Sequence, residues 1–193
     1  FSWVPWGWQA MVGRELISDA YLNQGRQWLQ SYYESKGQRI QQRFGLLDRS
    51  RRAYRQAVVS NVFNGAAYEG QATACMNRAS LALQVYLDNI DDQASTQSQV
   101  MRSIIERDSA SAISIIQNQM ESGGLRYHFT WYLLGRAWRM QWELERADRG
   151  ARPDNSDSYA QAVSALRKAV DYNPADAVAL RELADLLSQA SKT

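Results

Sequence analysis

The chain has 193 residues, of which 45% are apolar and 22% charged, so it is neither a disordered polymer nor too small to bury a sizeable core. With 22 Lys and Arg against 20 Asp and Glu the net charge is +2, which supplies no global pull toward nucleic acid. One cysteine (Cys75) and one histidine (His128) exclude an intramolecular disulfide framework, a cysteine-rich zinc site and every mechanism that needs two imidazoles.

The first residue is Phe1 rather than Met, which reads as a processed or truncated product. The opening FSWVPWGW sets Phe1, Trp3, Trp6 and Trp8 around Pro5 and Gly7, which oppose a helix. Two readings stand. Aromatic clusters suit the membrane–water interface, as they would behind a removed signal peptide or anchor. Equally, they form an aromatic arm folded over a helical core. No apolar run approaches the ~18 residues of a membrane span.

Beyond the arm, apolar residues recur at helical intervals and strand-like alternation is missing. From Trp8 to about Gly37 the stripe is Met11, Ile17, Tyr21, Leu22, Trp28, Leu29 and Tyr32. From Gln38 to Asn64 it is Ile40, Phe44, Leu47, Tyr54, Val58, Val59 and Phe63, with a break open at Gly45. Cys75, Met76, Leu81, Leu83, Val85 and Leu87 mark a third helix ended by Asn89, Asp91 and Asp92. A fourth starts near Ser95 and ends by Gly123–Gly124, with a break open at Asp108–Ser109. A long helix from about Leu125, the hydrophilic stretch Gly150–Ser156 and two further helices complete the chain. The pattern predicts an all-α protein of six to eight helices in antiparallel pairs. It divides into a divergent helical region, residues 1–124, and a repeat-like part, residues 125–193, packed as one continuous domain.

The last third carries an internal signature. Trp131, Leu134, Gly135 and Trp138 have W-x2-L-G-x2-Y spacing with Trp in the last place, followed by Ala162, Leu166, Ala169 and Pro174. Leu180, Leu183, Ala184 and Leu187 then restart the pattern in phase. Small residues (Gly135, Ala162, Ala169, Ala184) let helices approach; large ones (Trp131, Trp138, Leu166, Leu180) fill the gaps between pairs. Asp176 is placed to cap the last helix. Residues 128–190 resemble a tetratricopeptide repeat. Two departures are the 23 residues between Trp138 and Ala162, where the family has about eight, and a length of one repeat plus one helix. The resemblance implies a concave groove that binds a peptide or protein partner. Its positions map onto Phe129, Tyr132, Leu133, Arg136 and Arg139, then Arg181, Glu182 and Asp185. Arg136 and Arg139 would hold an acidic partner, with Glu182 and Asp185 giving the next turn the opposite sign; ordinary four-apart ion pairs such as Arg139–Glu143 are the competing explanation. The Lys/Asn carboxylate clamp of chaperone-binding members is absent.

A second candidate lies upstream. Between Lys36 and Arg55 seven cations face one acid, Asp48, a local charge of +6 that leaves −4 for the rest. Arg49, Arg51, Arg52 and Arg55 form its densest part, able to meet an anionic polymer, nucleic acid or lipid head groups. Only Phe44 and Tyr54 interleave, which makes nucleic acid a poor fit. His128 and Cys75 read as packing residues, and the Asp154–Asp157 run lacks the Gly and Glu of a calcium loop. No catalytic constellation, metal site or cofactor motif is present. The expectation is a non-enzymatic adaptor for a protein partner, open to homo-oligomer formation. A membrane-associated or periplasmic setting is favoured over the cytoplasm, and the Arg-, Gln- and Ala-rich, Lys-poor composition suggests a bacterial source.

Overall fold

The computed structural model describes residues 6–89, 95–121, 127–149 and 156–190, with side chains in the first helix described from Met11 onward. Among the described residues there are seven helices and no strand: α1 (Trp6–Glu34), α2 (Ile40–Ser60), α3 (Gly65–Asp88), α4 (Thr96–Glu121), α5 (His128–Arg149), α6 (Asp157–Tyr172) and α7 (Ala177–Ala190). The fold is all-α, and consecutive helices pack in pairs: α1 with α2, α3 with α4, α5 with α6. One local expectation gives way and two open breaks close. Gly7 lies inside α1 and Gly45 inside α2, because one glycine costs a helix only about 1 kcal/mol and flanking turns outweigh it, and α4 runs unbroken through Asp108–Ser109. Phe1, Trp3, Asp91, Asp92, Gly123, Gly124 and residues 150–155 lie outside the described residues.

The chain divides into two compact units, residues 1–74 and residues 75–193. In the first, α1 and α2 run antiparallel around Leu22, Tyr54 and Ala57, joined by Ala67 and Ala74 from the start of α3. Tyr54 is the keystone. Its ring lies where side chains at Gly25 and Gly70 would be: a Cβ at Gly70 would overlap the ring, and one at Gly25 would sit 2.8 Å from it. Buried hydroxyls tie the helices as well. Ser50 donates to the Gly25 carbonyl at 2.9 Å and Ser18 to the Ala57 carbonyl at 2.9 Å. Ser18 also accepts from the Asn64 side chain at 2.9 Å, while the Asn64 carbonyl oxygen caps the Ala67 amide at 3.1 Å. One asparagine thus starts α3 and fastens it to the end of α2 through α1.

The apolar stripe expected for this unit splits in two. Leu22, Tyr32, Leu47 and Tyr54 are buried, but Met11, Ile17, Tyr21, Val59 and Phe63 are exposed. Two causes act. With Ser18 level with Ala57, Met11 lies beyond the end of α2, whereas Ile17 and Tyr21 are turned about 140° and 100° from Leu22, and Val59 about 140° from Tyr54, away from the paired face.

In the second unit, Arg78 of α3 pairs with the fully buried Asp108 of α4 at 2.8 Å. Asp148 of α5 accepts from the Tyr86 hydroxyl at 2.6 Å and pairs with Arg102 at 2.9 Å, so one carboxylate links three helices. Burial and that hydrogen bond push the Tyr86 phenol up to about 12. The α5–α6–α7 part has its own core of Trp142, Ala162, Leu166 and Leu186, flanked by Tyr132, Trp138, Tyr159, Val163 and Leu183. Each fully buried large side chain there contributes about 1.5–3 kcal/mol. Ser156 is the N-cap of α6; Glu145 of α5 accepts from the Ser156 and Ser158 hydroxyls at 2.6 Å each. Asp176 caps α7 by accepting from the Val178 and Ala179 amides at 3.0 and 3.1 Å.

Candidate partner-binding site

The repeat-like segment forms the close helix pair its spacing calls for. Gly135 is buried against Leu166: a Cβ at 135 would stand 2.6 Å from the Leu166 Cγ and 3.1 Å from its backbone nitrogen. Leu134, Ala162, Leu166 and Ala169 are buried, and Trp131 and Trp138 are half-buried. The restart of the pattern in α7 departs from expectation. Leu180 is 42% exposed, Leu187 and Ala184 are exposed, and the residues of α7 that enter the core are Ala179 and Leu186. The Leu180–Ala184–Leu187 face is the one a following helix would cover, and no helix follows among the described residues.

The residues assigned to the groove fall into four groups. Leu133 is 1% exposed and cannot meet a partner; it is a packing residue of α5. Phe129 and Tyr132, one helical turn apart on α5, are half-buried and stacked, with ring centroids 6.1 Å apart and planes 30° apart. Arg181 and Asp185 lie exposed on α7.

The charged residues pair with one another. Arg139 bonds Glu143 at 2.7 Å on its own helix and Glu182 on α7, and Arg136 reaches the same Glu182 at 3.6 Å. Arg136 also lies over the Tyr132 ring, 5.8 Å from its centroid. Burial alone would lower the Arg139 pKa, but Glu143 and Glu182 outweigh it and raise the value. Burial likewise raises the Tyr132 phenol, with Glu182 adding to the shift and Arg136 opposing it. Two cations and two carboxylates cancel, so the expected acidic-partner subsite at Arg136 and Arg139 does not form as a pair of open cations. The network instead fixes α7 against α5 and holds the aromatic pair beside a neutral polar strip. Glu143 was legible from its four-residue spacing; the reach of Arg139 to Glu182, 43 residues on, was not.

The upstream arginines do not gather on one face. Arg49 lies over Trp28 at 4.8 Å, and Arg51 pairs with Asp48 at 3.6 Å. Arg43 packs over Tyr32 at 5.1 Å. Arg52 and Arg55, three apart on the outer face of α2, are exposed with no ion pair to another described residue.

His128 is half-buried at the start of α5, edge-on to Tyr127 at 5.7 Å, and Cys75 is a buried thiol. Among the described residues no group of three His, Cys, Asp or Glu side chains is placed to hold a metal ion, and no helix is long and apolar enough to cross a membrane.

Comparison with known proteins returns no match, whether to a family model, a curated protein or a solved structure.

Proposed function

We propose that this chain is a tetratricopeptide-repeat-like, non-enzymatic adaptor that holds a segment of a protein partner along the face shared by α5 and α7. The observation that carries the reading is the stacked Phe129–Tyr132 pair, half-buried and seated beside the Arg136–Glu182–Arg139 strip. Aromatic rings already held in place lose little conformational freedom on binding, and Tyr and Arg dominate interface hot spots for that reason. Because the strip is internally neutral, the partner segment is chosen by ring contact and hydrogen bonding more than by charge, with Arg181 and Asp185 as outlying charged contacts. The seating of Gly135 under Leu166, in the phase of the repeat, supports the same reading.

The competing use of the Lys36–Arg55 segment for an anionic polymer is supported less well. Two open cations on one face are a short track, since each phosphate contact along a nucleic acid needs its own.

The test is in-cell photocrosslinking with a benzophenone residue at 129, 132, 181 or 185, and at Ala160 and Ser164 on the outer face of α6 as controls. The groove positions should capture one common protein that the α6 positions miss. Phe129→Leu plus Tyr132→Leu, with helix content retained, should lose it. Equal capture from both faces, or none from either, overturns the proposal.

A further inference from the structure

The first unit ends in an apolar tip that the groove does not use. Phe63, in the turn between α2 and α3, is 92% exposed, Val59 is 67% and Leu16 is 66% exposed. Met11, Val59, Val62 and Phe63 line one depression of about 260 Å³ together with Arg14 and Glu15. A small protein rarely leaves this many large apolar side chains together in water without a purpose.

What could cover them follows from their directions. At about 100° per residue, Met11, Val12, Leu16 and Ile17 lie at offsets of about 0°, 100°, 140° and 240° round the α1 axis. All four are exposed. Val12, Leu16 and Ile17 span about 100–240° of the surface, while Arg14 at about 300° and Glu15 at about 40° flank Met11. The apolar face is therefore broad without encircling the helix, and a planar apolar boundary can cover such a face. The preceding turns of the same helix carry Trp6 and Trp8, residue types that favour the bilayer interface.

The charges fit as well. Arg55 and Arg52 lie four and seven residues before Val59 on the outer face of α2, about 6 and 10 Å behind the tip at 1.5 Å per residue. That is the depth at which lipid head groups would stand if the tip entered the acyl boundary by the usual ~5–10 Å. Glu15 offsets Arg14 within the depression, and Asp48 pairs with Arg51, but residues 1–74 carry nine Lys and Arg against five Asp and Glu.

We infer that the α1–α2 end of the first unit docks on a bilayer containing anionic phospholipid. Met11, Leu16, Val59, Val62 and Phe63 enter the apolar boundary, while Arg52 and Arg55 meet the head groups. This stands apart from the α5–α7 groove, and neither requires the other.

The experiment uses the full chain with sucrose-loaded vesicles, either phosphatidylcholine alone or with 30% phosphatidylglycerol, at low and high salt. The anionic vesicles should sediment the protein, and salt should weaken the binding. Val62→Ser plus Phe63→Ser, at sites too exposed to affect folding, should lower partitioning on anionic vesicles by about tenfold or more. Arg52→Gln plus Arg55→Gln should cost about tenfold on anionic vesicles and leave the weak binding to neutral ones unchanged. A Phe63→Cys variant labelled with an environment-sensitive dye should shift to the blue on vesicles; Cys75 is buried, so the label reports position 63. Three results overturn the inference. One is no sedimentation at low salt. The second is a serine variant that binds as well as the parent, which would mean surface adsorption alone. The third is a dimer in light scattering that the serine variant abolishes, which would make a second copy the cover.

Discussion

Replacing Gly135 with alanine probes the α5–α6 contact on which the groove stands. Two effects oppose each other. Alanine in a helix interior is favoured over glycine by up to about 1 kcal/mol. Against that, the new methyl would meet Leu166 Cγ at 2.6 Å and Cδ2 at 2.9 Å, about 1 Å inside the optimum for carbon contact. Leu166 cannot swing aside, because it is fully buried and Cγ is its branch point; its backbone nitrogen at 3.1 Å means α6 itself must give. Overpacking of this kind costs about 1–3 kcal/mol, so the net destabilisation should be about 1–2 kcal/mol. With two compact units a single melting curve is ambiguous, and amide hydrogen exchange resolved by segment is the suitable assay. The slowest-exchanging amides of α5 and α6 should exchange about 5–30 times faster, while α1 and α2 are unchanged. Gly45→Ala is the control, since a Cβ there meets nothing within 4 Å and should slow exchange in α2. If Gly135→Ala protects α5 and α6 as Gly45→Ala protects α2, the close contact is wrong and the groove loses its support.

Further expectations follow from the buried polar ties. Arg78→Met removes the 2.8 Å partner of the fully buried Asp108 but leaves it Arg107 at 3.2 Å, so urea unfolding of the second unit should show a loss of about 1–3 kcal/mol, below that of an unpaired buried charge. Ser18→Ala removes the hydroxyl shared by Ala57 and Asn64 and should cost about 1–3 kcal/mol, read as faster exchange at the start of α3. In the folded chain burial pushes the Tyr54 phenol up to about 12, as it does with Tyr86, whereas an unfolded chain ionises near 10. The stability they contribute is whole below about pH 10 and falls as pH rises through 12, so urea midpoints should drop across that window. Tyr86→Phe should flatten the drop, and an unchanged slope would count against a raised phenol. Glu182→Gln uncouples Arg136 and Arg139, so added salt should then change partner affinity where it had little effect before.

Helix spacing was readable throughout, because burying one face of a helix leaves a periodic trace whatever lies opposite. The repeat signature placed Gly135, Ala162, Leu166 and Ala169 in one close pair for the same reason. The sequence could not show where the partner surface stops. Met11 continues the stripe that Leu22 occupies, and only the overhang of α1 past α2 leaves it in water. Charges were harder still. Arg139 has an eligible acid four residues away and another 43 away, and it takes both; Arg49 has Asp48 beside it and packs on Trp28 instead. Ser18 and Ser50 look like helix-surface residues until a neighbouring carbonyl arrives to receive them.

The outward leucines of α7 have a use in engineering. Leu180, Ala184 and Leu187 are spaced to seat one more rod, so a consensus repeat fused behind Ala190 should find its first course already laid. The proposed recognition surface could then be lengthened module by module, leaving the native helices untouched.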